Sequence, residues 1–264
     1  MPSIKFEHLC IDFPGRGRRP AQRAVDDLHL EVADREFVCL LGPSGCGKST
    51  ALNTVAGFLK PTEGSMLVDD RPVSGPGPDR GVVFQDANIF PWLTVEKNIA
   101  FGPSLHGIRG QEISGRVSEL IERVGLRGFE KHLPLELSGG MRQRVGLART
   151  LINDPSVLLM DEPFGALDAQ TRIIMQELLL ELWERDRKTV LFVTHDIDEA
   201  LLLGDRVVVM SSRPGRVKEV LSVDLPRPRS YEITSDPVFA QMRRHLLQEL
   251  HSESQRAEMQ LSAK

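Results

Sequence analysis

The 264-residue chain has few cysteines, few aromatic residues and no long apolar run, and each shortage argues against a class of protein. Its three cysteines are an odd number without metal-type Cys-x-x-Cys spacing, which argues against a disulfide framework or a zinc site. Its longest apolar stretches, such as residues 200–210, are interrupted by charged residues before the ~18 residues that a membrane-spanning helix needs. The first ten residues contain no apolar core of a secretory signal, so we expect a cytosolic protein.

The chain also lacks an excess of charge of either sign. It carries 33 basic and 37 acidic residues, a formal net charge of −4, so we expect no nucleic-acid partner. Hydrophobic residues make up 41% and charged residues 27%, as in ordinary globular domains. The length predicts one large domain with a small appendage.

What is present is a series of short apolar runs separated by segments of helical length. Residues 37–41, 157–160, 189–193 and 206–210 are continuously apolar or nearly so, which is typical of strands buried on both faces. Residues 4–9 and 28–32 alternate instead and predict an antiparallel edge. The pattern predicts an α/β fold with a largely parallel sheet and an antiparallel β edge.

Between residues 95 and 149 the apolar period becomes helical, as in the series Ile113, Val117, Leu120, Ile121 and Val124. We expect a main domain over residues 1–225, with a helical subdomain of about residues 90–150 inserted in it. A Pro/Arg linker follows, and we expect a C-terminal helical extension over residues 226–264, with a helix beginning near Pro237.

A glycine-rich turn follows the first buried strand and opens a helix. The residues fit the GxxxxGK[ST] phosphate loop: Gly42, Pro43, Ser44, Gly45, Cys46, Gly47, Lys48 and Ser49. The glycines allow backbone N–H groups to surround a phosphate, the lysine neutralises its oxygens, and the serine hydroxyl can bind Mg²⁺. We place the next residue, Thr50, with the nucleotide-binding residues, and we expect ATP and Mg²⁺ as cofactors.

The second apolar run ends in two carboxylates. Asp161 is predicted to hold the metal ion, and Glu162 to orient or deprotonate the water that attacks the γ-phosphate. On its own, such a pair could simply cap a helix, but next to a phosphate loop it predicts nucleotide hydrolysis.

A third segment decides the family. The sequence Leu-Ser-Gly-Gly-Met-Arg-Gln over residues 137–143 resembles the signature sequence of ABC-type ATPases. Physically it is a helix N-terminus that Ser138 caps, with Gly139 and Gly140 allowing close approach of an anion. The resemblance implies a P-loop ABC-type ATPase fold and a head-to-tail homodimer, in which this cap serves the nucleotide of the partner subunit.

Further motifs of the family stand in order along the chain. Gln85 resembles the Q-loop residue that reaches Mg²⁺ and the attacking water, Asp168 the D-loop, and His195 the switch residue that contacts the γ-phosphate. The resemblance also implies an aromatic residue stacked on adenine, for which Phe13 is the candidate. Residues 15–22 look like an insertion, which changes the spacing between Phe13 and the phosphate loop relative to the family.

Longer stretches are similar to the ATP-binding subunits of the nitrate, sulfonate and taurine importer group. They comprise residues 75–85, Pro91 with Trp92, residues 162–172 and residues 212–216. The resemblance implies an ATPase on the cytoplasmic face of the bacterial inner membrane, attached to two transmembrane permease subunits and acting with a periplasmic or lipid-anchored binding protein. It is nearest to the taurine type.

The residues themselves do not choose the substrate. Taurine, another sulfonate and nitrate remain open, as do a non-transport ABC ATPase, an exporter subunit and a nucleotide-binding module without turnover. An intact Glu162 and His195 argue against the last of these.

Overall fold

The structure is a computed structural model that describes residues 3–15, 21–108 and 110–262, with side chains described up to residue 256. The strands are β1 (Ile4–Phe13), β2 (Gln22–Val32), β3 (Phe37–Leu41), β4 (Glu63–Val68), β5 (Arg71–Pro72), β6 (Arg80–Val83), β7 (Val157–Asp161), β8 (Thr189–Thr194), β9 (Arg206–Met210) and β10 (Val217–Ser222). The helices are α1 (Lys48–Val55), α2 (Val95–Leu105), α3 (Gln111–Arg123), α4 (Gly139–Leu151), α5 (Ala169–Asp186), α6 (Ile197–Leu203) and α7 (Pro237–Ser262). Two short 3₁₀ turns lie at Pro134–Glu136 and Tyr231–Ser235.

The four apolar runs of the sequence form the centre of a six-stranded sheet. Its order is β10-β9-β3-β8-β7-β6, and all neighbours are parallel except β10 with β9. The predicted α/β core with a largely parallel sheet is therefore confirmed. Because parallel strands point the same way, the loops that follow β9, β3, β8, β7 and β6 all lie at one edge of this sheet.

The alternating N-terminal segments form the predicted antiparallel edge. Strands β2, β1, β4 and β5 make a second sheet in that order, with Ile4 of β1 opposite Val32 of β2. This sheet and α1 pack on one face of the parallel sheet, so Val38 and Leu40 face them while Phe37 and Cys39 face the other way. Residues 16–20, which belong to the insertion expected at residues 15–22, lie outside the described residues.

Helices α2, α3 and α4 have an apolar cluster of their own, built around Ile99, Val117 and Val145. The buried Asn98 joins this cluster to the preceding loop, since its side chain accepts from the Phe90 N–H and donates to three carbonyl groups. The helical period between residues 95 and 149 is thus seen as three packed helices. The exact limits of a subdomain at residues 90–150 stay a prediction.

The C-terminal segment packs into the main core. Phe239 and Leu246 of α7 are buried in the same cluster as strands β3, β8 and β9 and helices α5 and α6. The helix expected near Pro237 does begin there. In the part of the chain that the structure describes, no helix is long and apolar enough to cross a membrane.

Neighbouring leucines of α7 test whether this helix contributes to the stability of the core. We expect Leu246→Ala to lower the free energy of unfolding by about 2–5 kcal/mol, because Leu246 is fully buried and leaves a cavity. Leu247 is 52% exposed, and we expect Leu247→Ala to stay within about 0.5 kcal/mol of the wild type. Urea unfolding of the full chain measures both changes, and equal losses would show that α7 does not pack as described.

Candidate nucleotide-binding and catalytic site

The phosphate loop turns sharply between β3 and α1. Gly45 and Gly47 have φ values of 75° and 99°, in the left-handed region where a side chain is strained. A Cβ atom on Gly47 would also lie 2.9 Å from the carbonyl oxygen of Ala24 in β2. The close turn therefore depends on glycine for two separate reasons.

Lys48 lies at the start of α1 with its side chain folded over the loop. Its Nζ donates to the carbonyl oxygens of Gly42 at 2.7 Å and Pro43 at 3.2 Å, and the residue is only 4% exposed. Among the described residues, no carboxylate lies within ion-pair distance of this ammonium group. A buried cation with no carboxylate in direct contact, at the N-terminus of a helix, fits an anionic ligand such as a phosphate.

Ser49 and Asp161 bring two oxygen atoms together across the sheet edge. The Ser49 hydroxyl donates to Oδ1 of Asp161 over 2.8 Å, although the residues are 112 positions apart in the sequence. Burial raises the pKa of the Asp161 carboxyl, and Glu162 raises it further, against opposing effects of the Ser49 hydroxyl and Lys48. A cation at this point would favour the charged carboxylate, and hydroxyl and carboxylate oxygens are the ligands that Mg²⁺ prefers.

Glu162 and His195 follow neighbouring strands and touch each other. Oε2 of Glu162 lies 2.9 Å from Nδ1 of His195. Glu162 has a φ of 45°, unusual for a residue with a side chain, and its N–H donates to the Val193 carbonyl at 2.9 Å. Such backbone conformations cost about 1–3 kcal/mol and persist where the surroundings impose them. Here the conformation places the carboxylate at the strand ends, against the histidine.

Gln85 follows β6 and lies beside the same turn. A Cβ on Gly165 would lie 3.3 Å from Nε2 of Gln85, and the Gly165 N–H donates to the Glu162 carbonyl. The adjacent Phe84 carbonyl accepts from the buried Gln143 of α4, which ties this segment to the helical cluster.

A groove of about 330 Å³ lies in front of the phosphate loop. It is lined by Phe13, Gln22, Ala24, Ser44, Gly45, Gly47, Lys48, Ser49, Thr50, Glu162 and Arg213. Phe13 is 43% exposed at the end of β1, so its ring is available at the groove. The structure thus brings the expected aromatic residue to the phosphate loop, and its contact with an adenine stays a prediction.

The second predicted anion site lies elsewhere in the chain. The Ser138 hydroxyl caps α4 by accepting from the Met141 N–H at 3.3 Å, and Asp168 caps α5 by accepting from the Thr171 N–H at 3.0 Å. These two helix starts adjoin, since a Cβ on Gly140 would collide with the Thr171 side chain. Ser138, Gly139, Gly140 and Asp168 do not line the groove of the phosphate loop.

Arg213 is a charged groove residue that is absent from the predicted site residues, as are its groove neighbours Gln22 and Ala24. In the sequence, Arg213 stands within a family-like stretch that indicates no role for it, yet its Nε donates to the Gly45 carbonyl at 3.1 Å. The available signal was a loop directly after a buried strand. That signal acquires meaning only once β9 is known to lie next to β3, and the strand order cannot be read from the sequence.

A buried carboxyl behind the histidine was missed as well. Glu199 of α6 is 4% exposed and accepts from the Thr194 hydroxyl at 2.6 Å and from Gln176 at 3.1 Å. The Thr194 hydroxyl in turn accepts from the Asp196 N–H, so this network holds the residues on both sides of His195. Burial raises the pKa of Glu199.

Together, the fold and this edge define a nucleoside-triphosphate-binding protein of the phosphate-loop class. Comparison with known proteins is more specific, since the family described as ABC transporter matches residues 25–165. The chain is 54% identical to an uncharacterized ABC transporter ATP-binding protein of Methanocaldococcus jannaschii, over 86% of this chain and 84% of the relative. The chain belongs to the ABC transporter family, as an ATP-binding subunit.

Other relatives and a solved structure agree with this assignment. The chain is 47% identical to the taurine import ATP-binding protein TauB of Rhizobium johnstonii, over 94% of this chain and 97% of that protein. It is similar to a dimeric ATP-binding cassette bound to ADP and Pi in a post-hydrolysis state, with a TM-score of 0.72 and 34% identity. That match covers 84% of this chain and all of the cassette, so the predicted ABC-type ATPase fold is confirmed.

The contact of Gly47 with β2 gives a prediction about the phosphate loop. We expect Gly47→Ala to lower the free energy of unfolding by about 2–4 kcal/mol, from strain at positive φ plus overlap with Ala24. Gly128 has a similar φ of 91° but open space around it, so Gly128→Ala should cost only about 1–2 kcal/mol. Urea unfolding compares the two, and equal losses would contradict the role of the Ala24 contact.

Proposed function

We propose that this chain hydrolyses ATP to energise the import of taurine or a related sulfonate across the bacterial inner membrane. The observation that carries the proposal is the meeting of Ser49 with Asp161, and of Glu162 with His195, beyond the ends of three adjacent parallel strands. The substrate class is supported by TauB of Rhizobium johnstonii and of Jannaschia sp., which are 47% and 45% identical to this chain.

Nucleotide binding is assigned to the groove residues. Backbone N–H groups of residues 42–47 and the Lys48 ammonium bind the phosphates, and Thr50 extends this contact along the start of α1. Phe13, which also lines the groove, stacks on the adenine ring.

Catalysis is assigned to the residues at the ends of β6, β7 and β8. Ser49, Asp161 and Gln85 would hold Mg²⁺, directly or through water, and their place beside the phosphate loop would let such an ion supply positive charge to the phosphates. Glu162 orients the attacking water and accepts its proton. His195 keeps the Glu162 carboxylate in place and contacts the γ-phosphate.

A second copy of the chain completes each site. Ser138 and Gly139 are exposed at a helix start outside their own chain's groove, with the buried Gly140 next to them, so this helix start is available for the nucleotide of a partner subunit. Asp168 lies at the adjoining helix start, where it can face the same interface. The similar solved cassettes are described as dimeric.

A separate groove is the proposed docking site of the permease. It has a volume of about 650 Å³ and is lined by Phe84, Phe90, Phe101 and Arg149, among others. Trp92 lies near it, stacked at an angle on Phe90 and 72% exposed. Exposed aromatic groups of this kind mark partner surfaces. Two permease subunits would hold the ATPase dimer at the cytoplasmic face of the membrane, and the substrate-binding protein would act through them.

Two substitutions separate nucleotide binding from hydrolysis. We expect Lys48→Ala to weaken ATP binding by 100-fold or more, on the order of 3 kcal/mol, because the buried cation facing the phosphates is lost. Glu162→Gln should still bind ATP, lose hydrolysis by about 10²- to 10⁴-fold, and accumulate an ATP-bound dimer. Fluorescent nucleotide titration, phosphate release and size-exclusion chromatography measure these quantities. A variant with glutamine at position 162 that remains monomeric in ATP would contradict the shared-site dimer.

Growth experiments test the substrate. A strain without this gene should fail to grow on taurine as sole sulfur source while growing on sulfate, and only the wild-type gene should restore growth, Lys48→Ala serving as the inactive control. Growth on an alkanesulfonate as the sulfur source, and on nitrate as the nitrogen source, tests the competing substrates in the same way. Normal growth on taurine with failure on one of these would replace taurine by that substrate, whereas normal growth on all sources would contradict the import of any of them.

A further inference from the structure

The loop between β9 and β10, residues 211–216, touches three parts of the molecule at once. At Gly215 its N–H donates to the Ala24 carbonyl and its carbonyl accepts from the Asp26 N–H, each at 2.9 Å, so the loop extends the hydrogen bonding of β2. A Cβ on Gly215 would overlap the carbonyl oxygen of Cys46 in the phosphate loop. The loop therefore lies directly behind and beside the nucleotide groove.

Arg213 extends from this loop over the phosphate loop. Its Nε donates to the Gly45 carbonyl, and its Nη2 would be 2.6 Å from a Cβ placed on Gly45. The side chain is exposed at the groove, and in the described ranges no carboxylate lies within ion-pair distance of it. Its remaining N–H groups are therefore free to donate to an anion in the groove.

The neighbouring Ser212 is held from the C-terminal helix. Glu253 of α7 accepts from the Ser212 N–H at 2.8 Å and from its hydroxyl at 3.3 Å. Glu253 is 1% exposed, and its other oxygen pairs with Lys218 at 2.8 Å and Arg256 at 2.9 Å. Burial opposes its charge, but these donors outweigh burial and hold the pKa of Glu253 below its ordinary value.

We infer that Arg213 binds the phosphate chain of the nucleotide and that Glu253, through Ser212, positions it. The C-terminal helix would then be a part of the molecule on which nucleotide affinity depends, although it lies outside the groove. This inference rests on the proposed function, since it assumes that the groove holds ATP.

The chemistry favours a phosphate over the other parts of a nucleotide. A guanidinium group presents N–H donors in a planar fork that matches phosphate oxygens, and Arg213 stands next to Gly45, whose neighbours form the phosphate cradle. Support of the loop alone would use only one of these donors, the Nε group that donates to the Gly45 carbonyl.

Nucleotide titrations of the full chain test the contact. We expect Arg213→Gln to weaken both ATP and ADP binding about tenfold, because a charge-assisted hydrogen bond to phosphate is lost. Arg213→Lys should recover part of this affinity, since it keeps the charge without the fork. Arg127→Gln is the control, because Arg127 is an exposed arginine between α3 and α4 that does not line the groove. Unchanged binding by Arg213→Gln would overturn the inference.

A double-mutant cycle tests the positioning by Glu253. We expect Glu253→Ala to weaken ATP binding about threefold, since affinity falls with the fraction of molecules in which the loop is in place. Glu253→Gln should bind more tightly than Glu253→Ala, because an amide oxygen can still accept from the Ser212 N–H. Glu249→Ala, one turn away, removes a partner of Lys218 but no bond to Ser212, so its affinity should match the wild type.

Combining Arg213→Gln with Glu253→Ala should give no weaker binding than Arg213→Gln alone, because Glu253 acts only through Arg213. Additive losses, or a loss in Glu249→Ala equal to that in Glu253→Ala, would overturn the positioning role and indicate general destabilisation. ATP binding by Lys48→Ala distinguishes a failure of the proposed function from a failure of this inference. If this variant binds ATP normally, the proposed function fails, whereas loss in Lys48→Ala with normal binding in Arg213→Gln rejects only this inference.

Discussion

Parallel pairing of strands with one another is the constraint on which the rest of this structure depends. Strand β3 pairs in parallel with both β8 and β9, β8 with β7, and β7 with β6, so five loops leave the sheet at one edge. Residues more than a hundred positions apart, such as Ser49 and Asp161, thereby come within hydrogen-bond distance. The groove exists because the hydrophobic cores on both faces of the sheet hold these strands in that order.

The elements around that edge are linked by a small number of buried polar contacts. Glu199 supports the segment around His195, Gln143 ties the segment after β6 to the helical cluster, and Glu253 holds the loop that carries Arg213. Each is a hydrogen-bonded group with little contact with solvent, and such groups are costly to leave without a partner. These bonds connect the helical cluster and α7 to the segments that border the groove.

The sequence predicted the elements that have a strong local pattern. The buried strands, the amphipathic helix at residues 111–123 and the helix start at Pro237 all have apolar runs, a clear period or a cap signal. It did not predict β6, whose four residues, Arg-Gly-Val-Val, carry no recognisable period, nor β10, whose half-exposed residues make an antiparallel edge. Short strands of this kind are stabilised by pairing with their neighbours, so their own residues show little of the sequence pattern that predicts a strand.

By itself the sequence determined the class of chemistry, because a phosphate loop and a carboxylate pair are local motifs whose spacing follows from the ligand that they bind. Only the tertiary structure decided how distant residues contact them and one another. The contact between Glu162 and His195, the place of Phe13 at the groove and the reach of Arg213 over Gly45 all depend on strand order. Strand order is set by the packing of whole elements against one another, a property of the folded chain that no single segment contains.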